Sequence, residues 1–374
     1  MKVAILETVK AQAGFELEFD RIIIEALQDA GHEAVMLLPE GTVLDQDFNV
    51  PKYFLNGGEI ISYDGVKGIK RIWYSFLREN RRVKWFDSAV DKAKQEGIGA
   101  IILTTATYRY LRSLKKSRLR NSEIPVYFVF LGVNPQEMPK FMSHARDCLS
   151  YKNIHLCVTT LRDDFGDKKP QNVRLIKPPV MIPRNCKHRI ESDTLRIGFF
   201  GHYRKGEKNI EWLMRSVTEA KFKRSIRFVI QLAPTKESDC REIEHIMEAY
   251  QYNNRVEFIT QKLMHDDWYN AVLNVDVVYL PYTAKRYLYN WSAIYFTAIG
   301  AGKPVITTKN LNPEVLNNYK IGECIDMDDF STFKMQLEDF VNDYENKNIE
   351  YKRELDRANR AYSKMSFIKN FING

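Results

Sequence analysis

The chain has 374 residues, a formal net charge of +8, 44% hydrophobic residues and 28% charged residues. This length predicts roughly two domains, and the apolar content excludes disordered and fibrous classes. No apolar run approaches the ~18–20 residues that span a bilayer, and the N-terminal window Val3–Val9 contains Glu7, so we predict neither a membrane span nor a signal peptide. The five cysteines form no CxxC pair, which argues against a disulfide framework or a zinc site. We therefore expect a cytoplasmic protein.

The first part of the chain has the pattern of a parallel sheet covered by helices on both faces. Residues 2–7 are predicted to form a buried strand, a helix follows and ends at Gly31, and residues 33–38 form the next strand. This order is one right-handed βαβ unit. Short apolar runs predict further strands at 100–105, 126–131, 155–160 and 173–179.

Residues 178–194 contain prolines and polar residues without periodicity, so we interpret them as an interdomain linker. After it the pattern starts again, with strands predicted at 195–201, 226–234, 255–260, 276–282 and 304–308 and helices between them. An amphipathic stretch, Leu355–Phe371, ends the chain. The predicted fold is therefore α/β, with two Rossmann-like, doubly wound parallel-sheet domains that face a cleft beyond the carboxyl ends of their strands.

Two basic stretches together hold a charge of +12: Lys67–Lys84 has seven basic residues against Glu79, and Arg109–Arg120 has six and no acid. Each also carries apolar side chains at helical spacing. Such a helix can pack its apolar face on its own core, contact an anionic membrane or a lipid diphosphate, or track nucleic acid. Of these partners nucleic acid is the least favoured. The predicted membrane or acceptor patch comprises Lys70, Arg71, Arg78, Arg81, Arg82, Lys84, Arg112, Lys115 and Lys116.

The segment GHYRKGEKN (201–209) lies between a predicted strand and a predicted helix. Gly201 and Gly206 allow close backbone approach, and the helix start offers unpaired N–H groups at the positive end of its dipole. Mobile positive charge comes from Arg204, Lys205 and Lys208. The segment is neither the GxGxxG fingerprint nor a P-loop. A basic turn before a helix is common, but this one suits a diphosphate.

A second cationic loop lies in residues 281–310. It carries Lys285 and Arg286 and leads into a helix that Ser292 is placed to cap. We expect this loop to face the first one from a neighbouring strand end. Two such loops in one domain fit a nucleotide diphosphate better than either alone.

Five segments in order along the chain resemble the GT-B glycosyltransferases of family 4 (group 1): GHEAVML, FFGHYRKGEKN, VEFITQKLMHDDWYNAVLNVDVVYLPY, SAIYFTAIGAGKPVI and YSKMSFIKNF. The resemblance covers most of the chain and is most specific between Leu195 and Thr308. It implies that a C-terminal domain (190–350) binds a nucleotide-sugar donor and that an N-terminal domain (1–183) faces the acceptor. The terminal segment (351–374) would pack back on the N-terminal domain as a helix.

Carried over by position, Lys208 matches the lysine that contacts the donor diphosphate, and Ser292 matches a serine at a helix start. Gly14 matches the glycine of the first strand–helix loop, so Gly14 and Phe15 are assigned to the acceptor side. The family's two glutamates are replaced by Tyr289 and Thr297. The predicted donor-binding residues are Gly201, His202, Arg204, Lys205, Lys208, Tyr282, Lys285, Arg286, Tyr289, Ser292 and Thr297.

These features predict a metal-independent glycosyltransferase without a cofactor, which moves a hexose from a UDP- or GDP-type sugar to a polysaccharide or lipid-linked glycan intermediate, peripherally on the inner membrane face. No catalytic base is identified, which favours a retaining reaction. Two alternatives stay open. Loss of the two family glutamates fits a non-catalytic glycosyltransferase-like subunit, and the basic helices fit a nucleic-acid glycosyltransferase.

Overall fold

A computed structural model describes residues 1–8, 15–62, 66–184, 193–203, 206–234 and 237–372. The chain forms two compact units, Met1–Pro178 with Lys364–Gly374, and Pro179–Ser363. Each unit has one parallel sheet with helices between its strands. The predicted α/β class with two doubly wound sheets is confirmed.

The first unit contains a sheet of seven described strands: β1 (Lys2–Leu6), β2 (Glu33–Pro39), β3 (Lys52–Leu55), β4 (Ala100–Leu103), β5 (Val126–Phe130), β6 (Ile154–Thr159) and β7 (Val173–Ile176). Their order is β3-β2-β1-β4-β5-β6-β7, and all neighbours are parallel. The predicted strands are present. The edge strand β3 is not among the predictions, because its apolar run (53–55) is only three residues long and includes the exposed Phe54.

The helices of the first unit are α1 (Phe15–Asp29), α2 (Ile69–Glu96), α3 (Tyr108–Leu114) and α4 (Met138–Asp147). Helix α2 ends at Gly97, whose positive φ of 67° suits a glycine C-cap. The C-terminal half of α2 packs on the sheet, where the rings of Phe86 and Phe128 meet edge to face at 5.9 Å. Among the described residues, no helix has the length and apolarity needed to cross a membrane.

The second unit contains strands β8 (Leu195–Phe199), β9 (Ile226–Gln231), β10 (Val256–Ile259), β11 (Val277–Tyr279), β12 (Val305–Thr307) and β13 (Gly322–Cys324). Their order is β10-β9-β8-β11-β12-β13. The helices are α5 (Ile210–Glu219), α6 (Glu237–Tyr250), α7 (His265–Leu273), α8 (Ala293–Gly300), α9 (Pro313–Asn318), α10 (Phe330–Asn342) and α11 (Tyr344–Ala361). The order reverses between β8 and β11, which is where doubly wound sheets bind their ligands.

The C-terminal stretch Leu355–Phe371 is two helices rather than the one predicted. Helix α11 ends in the second unit, and α12 (Lys364–Ile372) belongs to the first. The break lies at Tyr362, which is buried and whose carbonyl accepts a hydrogen bond from the amide of Val180. Helix α12 packs on α1 through the rings of Phe19 and Phe367, with 5.7 Å between their centroids.

Residues at the start of the predicted linker also belong to the second unit. The Met181 amide donates to the carbonyl of Phe296 over 3.2 Å. A side chain on Gly300 would collide with Ile182, so the first linker residues lie tightly on α8. The domain limits inferred from the sequence, and the acceptor and donor roles assigned to them, stay predictions.

Candidate functional site

The two cationic loops leave adjacent strands of the second unit. The loop 200–209 follows β8 and the loop 280–292 follows β11, and these strands pair in parallel through Ile197 and Val277. Both loops therefore start at the carboxyl edge of the sheet, at the point where the strand order reverses.

Backbone hydrogen bonds join the two loops. The Asn209 amide donates to the carbonyl of Pro281 over 3.0 Å, and the Thr283 amide donates to the carbonyl of Glu207 over 2.8 Å. Lys208 and Tyr282 form a short antiparallel bridge between them. The loops thus make one structure, and each limits the conformations of the other.

Lys208 lies at the centre of this junction and is only 8% exposed. Its Nζ donates to the carbonyl of His202 over 2.8 Å. The same ammonium group lies 4.8 Å from the ring centroid of Tyr282 and 5.6 Å from that of Phe199. Aromatic faces stabilise a cation that is largely removed from water. These contacts fix one positive charge at the end of β8. We call the Lys208 ammonium group, the His202 carbonyl and the rings of Tyr282 and Phe199 the cradle.

Arg286 is held by an acid from the other loop. Its guanidinium donates to Glu207 over 2.5 Å and to the hydroxyl of Tyr287 over 2.9 Å. That hydroxyl in turn donates to Glu207 over 3.0 Å. The pairing ties Arg286 to the residue before Lys208, and it offsets the positive charge of the loop that carries Arg286. Lys285 is exposed.

Three further predicted residues lie at α8 or just before it. Ser292 occupies the N-cap position, but the predicted side-chain cap is wrong, because its hydroxyl makes no capping bond. Its amide instead donates to Asn312 over 3.0 Å. The buried Thr297 donates its hydroxyl to the carbonyl of Ala293 within the helix, and Tyr289 is half-buried before it.

Three predicted residues, Gly14, Arg204 and Lys205, lie outside the described residues. Phe15 begins α1, is half-buried, and stacks on Phe19 with 5.7 Å between ring centroids.

Residues 194–343 match the family model described as glycosyl transferases group 1. This match spans both loops and the strand pair that carries them. Residues 194–343 are therefore similar to the group 1 glycosyltransferases. The resemblance predicted from FFGHYRKGEKN and the segments after it is therefore confirmed. A search of curated proteins finds no significant match.

Solved structures resemble the whole chain. HepE from Anabaena, solved with UDP and glucose, has a TM-score of 0.63 at 12% identity and covers 99% of this chain and 98% of its own. WaaG, a glycosyltransferase involved in lipopolysaccharide biosynthesis, has a TM-score of 0.59 at 13% identity, with 100% of both chains covered. An E. coli protein described as trehalose-6-phosphate, bound with UDP-2-fluoro glucose, has a TM-score of 0.65 at 11% identity. The match covers 100% of this chain and 98% of the E. coli chain. At this identity they show the fold, which is GT-B.

Two residues of the second unit that shape the site are not among the predicted ones. Gln231 ends β9, is buried, and accepts a hydrogen bond from the Gly201 amide over 2.7 Å. Asn209 caps α5 by accepting from the Trp212 amide over 3.1 Å. A polar side chain at the end of an apolar strand, and an asparagine before a helix, are the sequence signals for these roles.

Gly201 offers a test of the space beside Lys208, with a matched control. Its φ is 111°, and a Cβ there would lie 3.4 Å from the Nζ of Lys208. Gly302, in the same unit but outside this loop, has a φ of 65°, and a Cβ there would meet no atom of the described residues within 4 Å. Both alanine variants should lose about 1 kcal/mol of unfolding free energy through backbone strain.

Only Gly201→Ala places a methyl group against the Lys208 ammonium. We expect it to weaken UDP binding about tenfold in isothermal titration, because a methyl group keeps an anion from the cation. Gly302→Ala should bind UDP like the wild type. Equal losses of UDP affinity in the two variants would contradict a role in UDP binding for the space between Gly201 and the Lys208 ammonium.

The first unit also has polar residues where its strand order reverses, between β1 and β4. Glu7 follows β1, Thr104 follows β4, and Asp20 lies on α1 above them; all three are buried. The Thr104 hydroxyl donates to Asp20 over 2.6 Å. Burial, with the Glu7 carboxylate as the second cause, raises the pKa of Asp20 well above its ordinary value. None of these residues is predicted from the sequence.

This carboxyl makes stability pH-dependent. Because the raised pKa means that the folded state retains the proton longer, the contribution of Asp20 is fully present below its unfolded pKa of about 3.9 and is lost as pH rises through the folded pKa. Asp20→Asn replaces the protonated form by a neutral isostere. The Tm of this variant should therefore exceed that of the wild type by an amount that grows as the pH rises above about 4. Asp29→Asn, an exposed change at the end of α1, is the control. A Tm difference between Asp20→Asn and the wild type that does not vary with pH would contradict the burial of the Asp20 and Glu7 carboxyls as an ionisable pair.

Three members of the predicted basic patch are paired with carboxylates. The prediction that Arg82 belongs to a surface patch is wrong, because this residue is buried, with its guanidinium 4.6 Å from the Tyr110 ring centroid. Glu79 pairs with both Arg112 and Lys116, the latter over 2.7 Å. Lys115 pairs with Asp147, and Arg81 donates to the carbonyl of Glu59. The exposed members are Lys70, Arg71, Lys84, Arg112 and Lys116; Arg78, Arg81 and Lys115 are half-buried.

Proposed function

We propose that this chain transfers a sugar from a nucleotide-diphosphate sugar to an acceptor hydroxyl. The observation that carries the proposal is Lys208, held between two joined loops at the strand reversal of a unit similar to the group 1 glycosyltransferases. The complexes of HepE with UDP and glucose and of the E. coli protein with UDP-2-fluoro glucose support a UDP-sugar as the first donor to test.

The chemistry requires that negative charge on the leaving diphosphate be stabilised as its bond to the anomeric carbon breaks. Lys208 supplies a preoriented positive charge. Arg286 supplies a second one if a phosphate oxygen takes the place of Glu207, which now holds it. These cations would perform the task without a metal, and activity that survives EDTA would support this part of the proposal.

The proposed reaction retains the anomeric configuration. A general base must reach the acceptor hydroxyl directly or through one water. Glu7 and Asp20, the carboxyls at the strand reversal of the first unit, are 1% and 0% exposed. Their burial disfavours them as bases for an inverting displacement. NMR of the anomeric proton in the first-formed product decides between the two outcomes.

The proposed acceptor is a polysaccharide or lipid-linked glycan intermediate at an anionic, cytoplasmic membrane face. WaaG is involved in lipopolysaccharide biosynthesis, which supports a glycan acceptor. The exposed cations of the first unit, among them Lys70 and Arg71, support the membrane location.

A thermal-shift panel of nucleoside diphosphates and their sugars tests the donor proposal. A true ligand at 100 times its dissociation constant adds about 2.7 kcal/mol to the free energy of unfolding. We expect one nucleotide family to raise the Tm and the matching sugar nucleotide to be transferred or slowly hydrolysed. A panel without any shift would refute donor binding.

A second candidate function is a non-catalytic subunit that binds the nucleotide sugar. It is favoured by Thr297, which stands in place of a family glutamate and donates its hydroxyl to the helix carbonyl of Ala293. This candidate predicts a thermal shift with UDP but no transfer and no hydrolysis by the pure chain. Turnover by the isolated protein would eliminate it.

A further inference from the structure

Helix α2 begins with an exposed apolar stripe formed by Ile69, Ile72, Trp73 and Phe76. Their exposed fractions are 85%, 72%, 59% and 52%. Residues spaced i, i+3, i+4 and i+7 share one face of a helix, about 100° wide. The rings of Trp73 and Phe76 lie 6.2 Å apart within the stripe. Four large apolar side chains are thus aligned in water.

The stripe is not an extension of the core-facing side of α2. Further along the helix, Phe86, Ala89 and Ala93 are buried against the sheet. At 100° per residue, this buried side is rotated by about 100° from the stripe. The N-terminal part of α2 (69–76) therefore presents its apolar side chains on a side of the helix that the described residues of the first unit leave exposed. A contiguous exposed apolar patch of this kind marks an interaction site.

The charge around the stripe is positive. Lys67, Lys70 and Arg71 are exposed, and within the described parts of the chain no carboxylate pairs with them. The acid of this helix segment, Glu79, is occupied by Arg112 and Lys116. A second copy of the same stripe would bring like charges together. An anionic phospholipid bilayer complements both features, because it offers phosphates to the cations and hydrocarbon to the apolar side chains.

We infer that the stripe of Ile69, Ile72, Trp73 and Phe76 inserts into the interface of an anionic phospholipid bilayer while Lys70 and Arg71 bind its headgroup phosphates. The inference rests on the proposed membrane location of the acceptor and gives it a structural basis. Insertion of apolar side chains differs from electrostatic attraction by a broad basic patch in the salt dependence of membrane binding. Inserted apolar side chains keep part of the binding at high salt, whereas phosphate contacts are screened.

Sedimentation with vesicles tests the inference. The full chain is mixed with vesicles of phosphatidylcholine containing 30% phosphatidylglycerol, or of phosphatidylcholine alone, at low and high salt. The wild type should bind the anionic vesicles. The triple variant Ile72→Ser/Trp73→Ser/Phe76→Ser should lose binding by roughly two orders of magnitude, from the apolar area no longer buried. The double variant Lys70→Gln/Arg71→Gln should lose vesicle affinity by roughly fivefold per cation at low salt, and by less at high salt.

Ile349→Ser is the matched control, since Ile349 is 78% exposed on α11 of the second unit, and it should bind vesicles like the wild type. Trp73 is also an intrinsic probe. Its fluorescence should shift to shorter wavelength with anionic vesicles and be quenched by brominated lipid, and Trp73→Phe should remove both signals.

Unchanged vesicle binding by the triple variant would overturn the inference. So would a wild-type dimer in sedimentation velocity that the triple variant abolishes while vesicles bind neither protein, because a second copy would then cover the stripe. The UDP thermal shift is measured on each variant. Lost vesicle binding with an intact UDP response supports the inference, and absent UDP binding in every protein refutes the donor proposal separately.

Discussion

Replacing Lys208 by methionine should reduce the affinity for UDP or a UDP-sugar roughly 100-fold or more, and turnover with it. Methionine keeps the length and apolar stem of lysine but removes the charge between the rings of Tyr282 and Phe199. The diphosphate would then face a cradle without its cation. Isothermal titration with UDP measures the loss directly.

The control for this variant is Lys309→Met in the same domain. Lys309 is exposed and pairs with Asp328 over 3.1 Å. It should change UDP binding little, because removing an exposed ion pair costs at most about 1 kcal/mol of stability and touches neither cationic loop. A folded Lys208→Met protein that binds UDP like the wild type would refute the role assigned to Lys208.

Gly322→Ala should lower the unfolding free energy by about 3 kcal/mol or more, or prevent folding of the second unit. Gly322 begins β13 and pairs with Val305 of β12. A Cβ at this position would overlap the carbonyl oxygen of Val305 and lie 2.7 Å from its backbone nitrogen. Because both atoms are backbone, no side-chain rotation relieves the collision. Chemical denaturation monitored by tryptophan fluorescence measures the loss.

Gly302→Ala is the comparison for Gly322. Gly302 has a φ of 65° and open space where a Cβ would be, so it should lose only about 1 kcal/mol from backbone strain. Equal stability losses in the two variants would show that the close approach of β13 to β12 does not limit the sequence at Gly322.

The fold was predictable because its strands are short apolar runs between helices. Strand β3 was not predictable, because an edge strand buries little and the apolar run in Lys52–Leu55 is only three residues long. The break between α11 and α12 was also hidden. The amphipathic pattern continues across Tyr362, whose carbonyl accepts a hydrogen bond from Val180, a residue distant in the chain.

The candidate site was predictable where its residues are close in sequence. The loop 201–209 has a local signal, and the structure joins it to the loop after β11 as predicted. Glu207 and Arg286 are 79 residues apart, and Asp20 and Thr104 are 84 apart, so their pairing follows from the sheet order and not from spacing.

Charge counting fails for a similar reason. The two basic stretches sum to +12 as sequence. In the folded unit, Glu79 of one stretch meets Arg112 and Lys116 of the other, and Arg82 is buried. The apolar side chains at helical spacing were open to two interpretations, packing on the core or contact with a partner. Their exposure at the front of α2, which only the fold reveals, favours the second.

The most direct measurement is a crystal structure of the full chain with UDP. We predict a diphosphate oxygen about 3 Å from the Nζ of Lys208, with the nucleotide at the carboxyl ends of β8 and β11. UDP bound elsewhere, or a cradle that stays empty when UDP is saturating, would contradict the account.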